Sequence, residues 1–264
     1  MTQLNRIGVD LVTIARVVKE PAISRFFRFW PRGLFRLRTA CFVDGYNVYY
    51  GLVHGTAFKW LDLTSLIEKV LRVQSPQNSL AKVYYFTSPV LPQLASNGVV
   101  SHEAQHTYIR ALKSKGVEVV QGKHRLDKGK APEFVAGVAA SRQRLVDIWS
   151  LEEKQTDVNL ALSLYRFALK QRALPEPERV SQLVVFSNDS DFEPALAAVR
   201  EDFPEVSIGV IAPIREGMKR SPSGSLRKHA HWMRSEIKDS ELSSSLFPDR
   251  ILTNKKPIFK PAYW

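Results

Sequence analysis

The sequence contains a single cysteine, Cys41, and lacks a long uncharged apolar run. One thiol cannot form an internal disulfide or a thiolate zinc site, so it suits a reducing compartment and predicts a cytoplasmic location. Without about 18 consecutive uncharged apolar residues, no membrane span is expected. Acidic residues are also in the minority, with 26 Asp and Glu against 38 Lys and Arg and a net charge of +12. That excess favours a polyanionic partner such as nucleic acid or acidic lipid.

Three common catalytic and nucleotide-binding motifs are missing as well. The absence of Gly-x-x-x-x-Gly-Lys-Ser/Thr excludes a P-loop ATPase, and the absence of Gly-x-Gly-x-x-Gly excludes a dinucleotide fingerprint. No Gly-x-Ser-x-Gly elbow supports a hydrolase triad. The composition is 44% apolar and 24% charged over 264 residues, which is typical of a globular chain long enough to bury a core.

The positive charge is unevenly spread and suggests three regions. Residues 1–39 hold eight Lys and Arg against two acids. We interpret them as a basic, poorly ordered N-terminal extension, although the aromatic-basic segment 26–30 could also lie on a membrane surface or stack on bases. Residues 40–212 are expected to form one domain. Residues 213–264, which are basic and rich in Ser and Pro turns, are expected to pack on that domain or extend it.

Short apolar runs alternate with helical patterns from residue 40 onward. Strands are predicted at 40–43, 81–86, 117–120, 145–149, 180–186 and 206–211, and helices after Asp62 and Thr156 as N-caps and at 102–115, 190–200 and 225–232. This order predicts an α/β domain of three layers, with a mostly parallel central sheet and helices on both faces. The basic segment 121–143, punctuated by Gly and Pro, is predicted to be a mobile loop.

Four aspartates stand where predicted strands end or predicted helices begin: Asp44, Asp157, Asp189 and Asp191. Ligands of open α/β sheets bind beyond the carboxyl ends of the strands, so these side chains converge if the central strands are neighbours. Each acid also has a purely structural interpretation. Asp44 opens a common turn pair, Asp157 and Asp191 suit the positive end of a helix, and Ser190 with Glu193 matches a capping box.

The four acids taken together favour a metal site. Like charges held close to one another are unfavourable unless a cation compensates them. Carboxylate oxygens are the ligands that Mg²⁺ and Mn²⁺ prefer, and such an ion can activate water and neutralise charge on a phosphodiester. The pattern therefore favours a divalent-metal site of a kind that can act on a phosphodiester.

Three sequence blocks occur in order along the chain. They are Phe42-Val43-Asp44-Gly45-Tyr46-Asn47, Glu152-Glu153-Lys154 continuing through Thr156-Asp157-Val158-Asn159-Leu160-Ala161, and Ser187-Asn188-Asp189-Ser190-Asp191-Phe192. These blocks resemble the signature blocks of the NYN domain, from about residue 40 to the end of the chain. NYN domains belong to the PIN-like nuclease superfamily, and this chain is similar to the branch of bacterial LabA-type proteins. The resemblance implies a parallel sheet of PIN-like order and a divalent-metal-dependent endoribonuclease.

The resemblance also implies roles for individual residues. Asp44, Asp157, Asp189 and Asp191 would be ligands of Mg²⁺ or Mn²⁺, and Asn47 would be a polar residue near the metal or the scissile phosphate. Many relatives carry another acid further along the helix that begins near Asp157, whereas the facing positions here are Ser163, Leu164 and Phe167. This departure leaves open a catalytically weak RNA-binding or regulatory protein of the same fold. Homo-oligomerisation is left open too.

Basic residues flank the proposed acidic pocket. As solvated surface they need no function, but beside the pocket they would supply the phosphate contacts that the acids repel. The candidate RNA-binding residues are Lys123, Arg125, Lys128, Lys130, Lys154, Ser187 and Asn188.

A competing zinc motif occurs at His102-Glu103-Ala104-Gln105-His106, which fits His-Glu-x-x-His. Two His one helical turn apart can share zinc, with the Glu as a base. No His-x-x-Gly-x-x-His continuation follows, and the nearest downstream acid, Glu118, falls on a predicted strand. We therefore interpret this helix as structural and keep a metalloprotease as the less favoured alternative.

Overall fold

The computed structural model describes residues 37–264, so nearly all of the proposed extension 1–39 lies outside the described residues. The strands are β1 Arg38–Asp44, β2 Ser79–Thr87, β3 Glu118–Gln121, β4 Lys123–Pro132, β5 Leu145–Lys154, β6 Gln182–Phe186, β7 Ser207–Ile211, β8 Trp232–Arg234, β9 Arg250–Ile251 and β10 Ile258–Phe259. The helices are α1 Gly45–Val48, α2 Leu63–Gln74, α3 Val99–Ser114, α4 Thr156–Arg172, α5 Glu193–Asp202, α6 Gly224–His229 and α7 Asp239–Ser243. No helix of this part of the chain is long and apolar enough to cross a membrane.

Six strands form one central sheet in the order β3-β2-β1-β6-β7-β8, and every neighbouring pair is parallel. β1 lies in the middle, with β2 on one side and β6 on the other. The pairing sets Asp44 beside Phe86 and Val43 beside Phe186, so these three strands end at the same edge. The predicted α/β class with a parallel sheet is confirmed.

The apolar residues of β1 explain why helices cover both faces of the sheet. Side chains alternate between the faces of a strand, and a strand that is apolar at every position must be buried on both. Cys41 and Val43 belong to a core with α2 and α3, whereas Ala40 and Phe42 belong to a second core with α4 and α5. Two cores on opposite faces of one sheet give the three layers predicted from the sequence.

The C-terminal residues take part in the same architecture. β8 extends the sheet beside β7, which the sequence patterns did not indicate. Phe247 packs on Trp60 with ring centroids 5.4 Å apart, and Trp264 lies 6.1 Å from the same ring. The Trp60 indole also donates a 2.9 Å hydrogen bond to the Pro248 carbonyl. Residues from the end of the chain therefore complete the core around a tryptophan near its beginning.

The loop predicted at 121–143 is wrong in its first half. Residues Lys123–Pro132 form β4, which pairs antiparallel with all of β5 in a separate two-stranded hairpin. The strand was missed because β4 has few apolar side chains, so its sequence lacks the apolar alternation of a half-buried strand. The extra strand predicted at 145–149 exists, but it is longer and lies outside the central sheet.

Two predicted helix starts also differ. Thr156 is not an N-cap: Gln155, with a φ of 77°, takes that position, and Thr156 is buried as the first helical residue. The capping box of Ser190 and Glu193 does not form, because Asp189 caps a short 3₁₀ turn, Ser190–Phe192, that precedes α5. By contrast, Asp62 caps α2 as predicted, accepting a 3.2 Å hydrogen bond from the Ser65 amide.

Candidate active site at the carboxyl edge of the sheet

Asp44 is the most enclosed of the four aspartates, with 5% of its surface exposed. One carboxylate oxygen accepts a 3.0 Å hydrogen bond from the backbone amide of Asn47, and the other accepts a 2.9 Å hydrogen bond from the Ser187 hydroxyl. Desolvation is the main influence on this group, and the charges of Asp157 and Asp189 add to it. Together they raise the pKa of Asp44 from 3.8 to about 6 in spite of the two hydrogen bonds.

Asp189 and Asp191 are held by the turn that follows β6. The Asp189 amide donates to the Ser187 hydroxyl at 3.1 Å, and an Asp189 carboxylate oxygen accepts from the Asp191 amide at 3.0 Å. Ser187 is fully buried and thus joins this turn to Asp44. The sequence predicted Ser187 as a nucleic-acid contact; in this structure its side chain is buried and hydrogen-bonded to Asp44 and to the Asp189 backbone amide.

Asp157 approaches the same edge from the first turn of α4. Desolvation and the negative charges of Asp189, Glu153 and Asp191 raise its pKa. Within residues 37–264 no ion pair to Lys, Arg or His relieves any of the four aspartates. The predicted acids are therefore electrostatic neighbours, and no salt bridge within the described residues offsets their mutual repulsion.

The chemistry of the donor atoms suits a divalent cation, whereas their spacing is wider than a metal site requires. The donor set is all carboxylate oxygen, which suits Mg²⁺ or Mn²⁺, and the raised pKa values of Asp44 and Asp157 are those of acids lacking a counter-ion. The side chains are nevertheless more open than a finished coordination sphere. In the described residues, no three His, Cys, Asp or Glu side chains are gathered closely enough to hold a metal ion.

Glu153 is a fifth carboxylate at this edge that sequence reasoning missed. Its charge contributes to the raised pKa values of Asp157, Tyr46 and Tyr85. It pairs across the hairpin with His124, so both residues lie on one face at the foot of the hairpin. The signal that could have found it is the alternation of β5, which is readable only once the strand is recognised.

The two asparagines hold the site together. The Asn47 side-chain oxygen accepts a 3.3 Å hydrogen bond from the backbone amide of Asn188, which joins α1 to the turn after β6. The Asn188 side chain accepts from the Ser223 amide at 2.7 Å and donates to the Ser221 carbonyl at 3.1 Å. Both side chains are thus engaged with backbone, which favours a positioning role for each.

The basic candidates are spread along the hairpin. Lys123 faces Lys154 across the first pair, at the foot of the hairpin beside the acids. Lys128 and Lys130 stand five and seven residues further along β4, which at the usual rise places them about 17 and 23 Å away. The opposite strand also supplies acids, since Asp147 lies 3.8 Å from Lys130. Arg125 is paired with Asp127 at 2.7 Å and Lys154 with Glu152; of these basic residues, Lys123 and Lys154 stand at the foot of the hairpin.

Two glycines allow the close packing that this arrangement needs. A Cβ at Gly45, directly after Asp44, would lie 2.6 Å from the Phe86 carbonyl oxygen. A Cβ at Gly122, where the chain enters the hairpin, would lie 2.3 Å from the Thr156 hydroxyl and 2.7 Å from that of Ser88. These two hydroxyls are buried and 3.0 Å apart. The hairpin is therefore fastened to the start of α4 by backbone contact at Gly122.

The zinc motif lies on α3, as predicted, but its first histidine is occupied by backbone. The His102 Nδ1 donates a 2.8 Å hydrogen bond to the Val90 carbonyl, and Gln105 bonds the neighbouring Val90 amide and Ser88 carbonyl. Among residues 37–264, no third metal-binding side chain joins His102 and His106. These contacts support the interpretation of α3 as a structural helix.

A three-layer α/β domain whose central parallel strands end among aspartates defines the class of PIN-like nuclease domains. The NYN domain family model matches residues 38–231, and the chain belongs to the NYN domain family. The resemblance stated from the three sequence blocks is thereby confirmed, and a nuclease-type function follows for the domain.

Two further comparisons identify similar proteins. The chain is 34% identical over 251 residues to the 6-hydroxy-3-succinoylpyridine 3-monooxygenase HspA of Pseudomonas putida (strain DSM 28022 / S16), covering 86% of this chain and 75% of that protein. It is also similar to the crystal structure of VPA0982, a protein of unknown function from Vibrio parahaemolyticus RIMD 2210633. That match has a TM-score of 0.45 and 16% identity and covers 77% of this chain and 94% of the other.

Proposed function

We propose that this protein is a divalent-metal-dependent endoribonuclease that hydrolyses RNA phosphodiester bonds at the carboxyl edge of its sheet. The observation that carries the proposal is the electrostatic proximity of the acids: the charges of Asp157 and Asp189 help to raise the pKa of Asp44, and those of Asp189 and Asp191 help to raise the pKa of Asp157. A hard cation would relieve that repulsion, and RNA phosphate would complete its ligands. The cytoplasmic location inferred from the lone cysteine stays a prediction.

Each residue of the site would have its own role. When bound, Mg²⁺ or Mn²⁺ supplies activation of water and neutralisation of charge on the phosphodiester. Asp44, Asp157, Asp189 and Asp191 would hold the ion. Ser187 would fix two of them through its paired hydrogen bonds, with Asn47 and Asn188 keeping the two loops in register. Lys123 and Lys154 would contact the RNA phosphates from the foot of the hairpin.

Cleavage of single-stranded RNA by the full-length protein tests the proposal. We expect cutting with Mg²⁺ or Mn²⁺ and none with EDTA. Asp44→Asn and Asp191→Asn should each reduce cutting to background, because a neutral amide is a poor ligand for a hard cation. Ser187→Ala should lower activity by roughly tenfold or more, as expected for a residue that orients a metal ligand.

Asp249→Asn is the matched control for these variants. Asp249 is exposed and lies far along the chain, where its backbone carbonyl pairs β9 with β10. Its substitution should leave both cutting and folding unchanged. Normal cleavage by Asp44→Asn and Asp191→Asn would overturn the assignment of the acids.

A binding protein of the same fold is the second candidate, and the open arrangement of the acids favours it. In that case RNA would bind at the same edge without measurable turnover. Binding that survives in Asp191→Asn, together with no cleavage by the parent under any divalent ion, would establish this candidate instead. Homo-oligomerisation is a separate proposal, which sedimentation of the purified protein would test.

The identity to the pyridine monooxygenase supports a third candidate, oxygenation of a hydroxylated pyridine ring. Incubation with 6-hydroxy-3-succinoylpyridine, a two-electron reductant and air would test it by consumption of the compound. Under our proposal the compound remains unchanged while RNA is cut. The opposite result would replace the nuclease with an oxygenase.

A further inference from the structure

Five aromatic rings form a continuous ladder next to the acidic edge. Tyr46 lies 6.0 Å from His124 and 6.3 Å from Tyr50, with the two tyrosine rings inclined by 21°. Tyr50 continues to His54 at 5.4 Å and to Tyr49 at 5.1 Å. Tyr50 is largely exposed, with 62% of the residue's surface open to solvent. An aromatic ring that is supported on its sides and exposed above is a platform on which another planar ring can stack.

The backbone holds this platform firmly in place. Tyr50 belongs to a short π-helical turn, Tyr49–Val53, that continues α1. A Cβ at Gly51 would lie 1.9 Å from the Pro213 carbonyl oxygen, so the turn is pressed against the end of the central sheet. Single π turns inside helices occur frequently at functional sites.

The other end of the ladder is fixed to the sheet by hydrogen bonds. The Tyr46 hydroxyl donates to the Ser88 carbonyl at 3.2 Å and lies 3.3 Å from the His124 Nε2. The His124 Nδ1 donates to the Pro89 carbonyl at 2.7 Å. The ladder thus bridges α1 and the foot of the hairpin.

The ladder adjoins the candidate active site through α1 and the hairpin. Tyr46 lies in α1, which Asp44 caps, and His124 pairs across the hairpin with Glu153, whose charge helps to raise the pKa of Asp157. A strand whose phosphate lies at the aspartates would bring a neighbouring base to the tyrosines. Single-stranded nucleic acids are commonly held in this way, by a backbone site beside aromatic side chains that stack on successive bases.

We propose that Tyr50 is a stacking platform for an unpaired RNA base adjacent to the phosphate in the acidic site. This inference rests on the proposed function and narrows its substrate to single-stranded RNA, because a paired base has no free face to offer the ring. Tyr46, Tyr49 and His54 support the platform.

An RNA hexamer with one 2-aminopurine base tests the proposal in EDTA, where no cutting occurs. Stacking on the parent protein should quench the 2-aminopurine fluorescence. Tyr50→Ala should remove that quenching and weaken binding by about tenfold, while Tyr50→Phe should retain both. Phe259→Ala is the matched control, since Phe259 is also exposed but lies in β10. It should bind like the parent.

A second hexamer that lacks the base at the same position separates stacking from a structural effect. Removing both partners of one contact lowers the binding free energy no more than removing either one. The base deletion should therefore have little effect on RNA binding by Tyr50→Ala. Additive losses, or parent-like binding by Tyr50→Ala, would overturn the inference. If Tyr50→Ala binds RNA like the parent, and the parent cuts RNA through its aspartates, the stacking platform is refuted while the nuclease proposal is retained. Quenching of tyrosine fluorescence by 6-hydroxy-3-succinoylpyridine, with no binding of either hexamer, would refute both.

Discussion

At the scale of the residue, Asp44 combines two opposing demands. Its position at the end of a central strand buries the carboxylate, and the Asn47 amide and Ser187 hydroxyl compensate only part of the lost hydration. The net result is a carboxyl group that holds its proton to about pH 6. A group that is costly to ionise in the folded protein is typical of a site arranged for function rather than stability.

The stability of the metal-free protein should therefore depend on the charge of Asp44. Because its pKa is about 6 when folded and 3.8 in an ordinary environment, its contribution is fully present below about pH 4 and is lost as the pH rises through about 6. Asp44→Asn should abolish this dependence and raise the free energy of unfolding at pH 7 by up to about 3 kcal/mol. Urea unfolding in EDTA between pH 4 and 7 measures both effects.

Asp249→Asn again provides the comparison, because its exposed carboxylate should leave the pH profile of the parent unchanged. An Asp44→Asn protein that is no more stable than the parent at pH 7, with the same pH profile, would show that Asp44 is not desolvated as described.

At the scale of the element, the hairpin of β4 and β5 depends on its attachment. A two-stranded hairpin alone is only marginally stable in water, and most residues of this one are exposed. What sets its position is the passage of Gly122 against Thr156 and Ser88, together with the His124 hydrogen bond to Pro89. The hairpin brings Glu153, Lys123 and Lys154 to the site through that attachment.

Gly122→Ala should displace the foot of the hairpin and reduce activity with a modest loss of stability. The new methyl group would overlap the buried Thr156 hydroxyl at 2.3 Å, so the strand or α4 must shift. We expect RNA cleavage to fall by more than tenfold, since a displacement of about 1 Å can cost a hundredfold in rate. Thermal unfolding and cleavage rates measured side by side check this expectation.

Gly129→Ala is the control within the same hairpin, where the nearest atoms to a new Cβ lie at an ordinary 3.9 Å. It should behave as the parent in both measurements. Equal activity of Gly122→Ala and Gly129→Ala would mean that the position of the hairpin does not matter for catalysis.

At the scale of the whole molecule, distant parts of the chain share one core around Trp60. Phe247 is 4% exposed and packs on this indole, and the Trp264 ring lies 6.1 Å from it. The same core contains the helices α2 and α3 beneath the sheet. The C-terminal segment is therefore required for the stability of the layer that supports β1 and its aspartate.

Phe247→Ala should lower the free energy of unfolding by about 3 kcal/mol or more, because it leaves a cavity beside Trp60. Phe259→Ala, which truncates a phenylalanine that is 57% exposed, should cost less than about 1 kcal/mol. Chemical denaturation followed by tryptophan fluorescence compares the two. Similar stabilities for both variants would argue against a shared core.

The sequence by itself determined the features that depend on local pattern. The apolar run at 40–43, and the run 183–186 within the strand predicted at 180–186, dictated central strands, because a strand that is apolar at consecutive positions must be buried on both faces. The cap at Asp62 was also predictable from the sequence, because it depends only on one side chain and the backbone amide three residues later. The order of strands and helices, with the three sequence blocks, was enough to assign the family.

Only the tertiary structure decided the features that depend on pairing. The polar alternation of β4 resembles a loop until β5 pairs with it, and that pairing brings Glu153 and His124 together. The burial of Ser187 follows from its place between β1 and the turn after β6, which no local pattern encodes. The aromatic ladder likewise joins residues far apart in the chain, because Tyr46 meets His124 only when α1 and the hairpin pack against the same edge of the sheet.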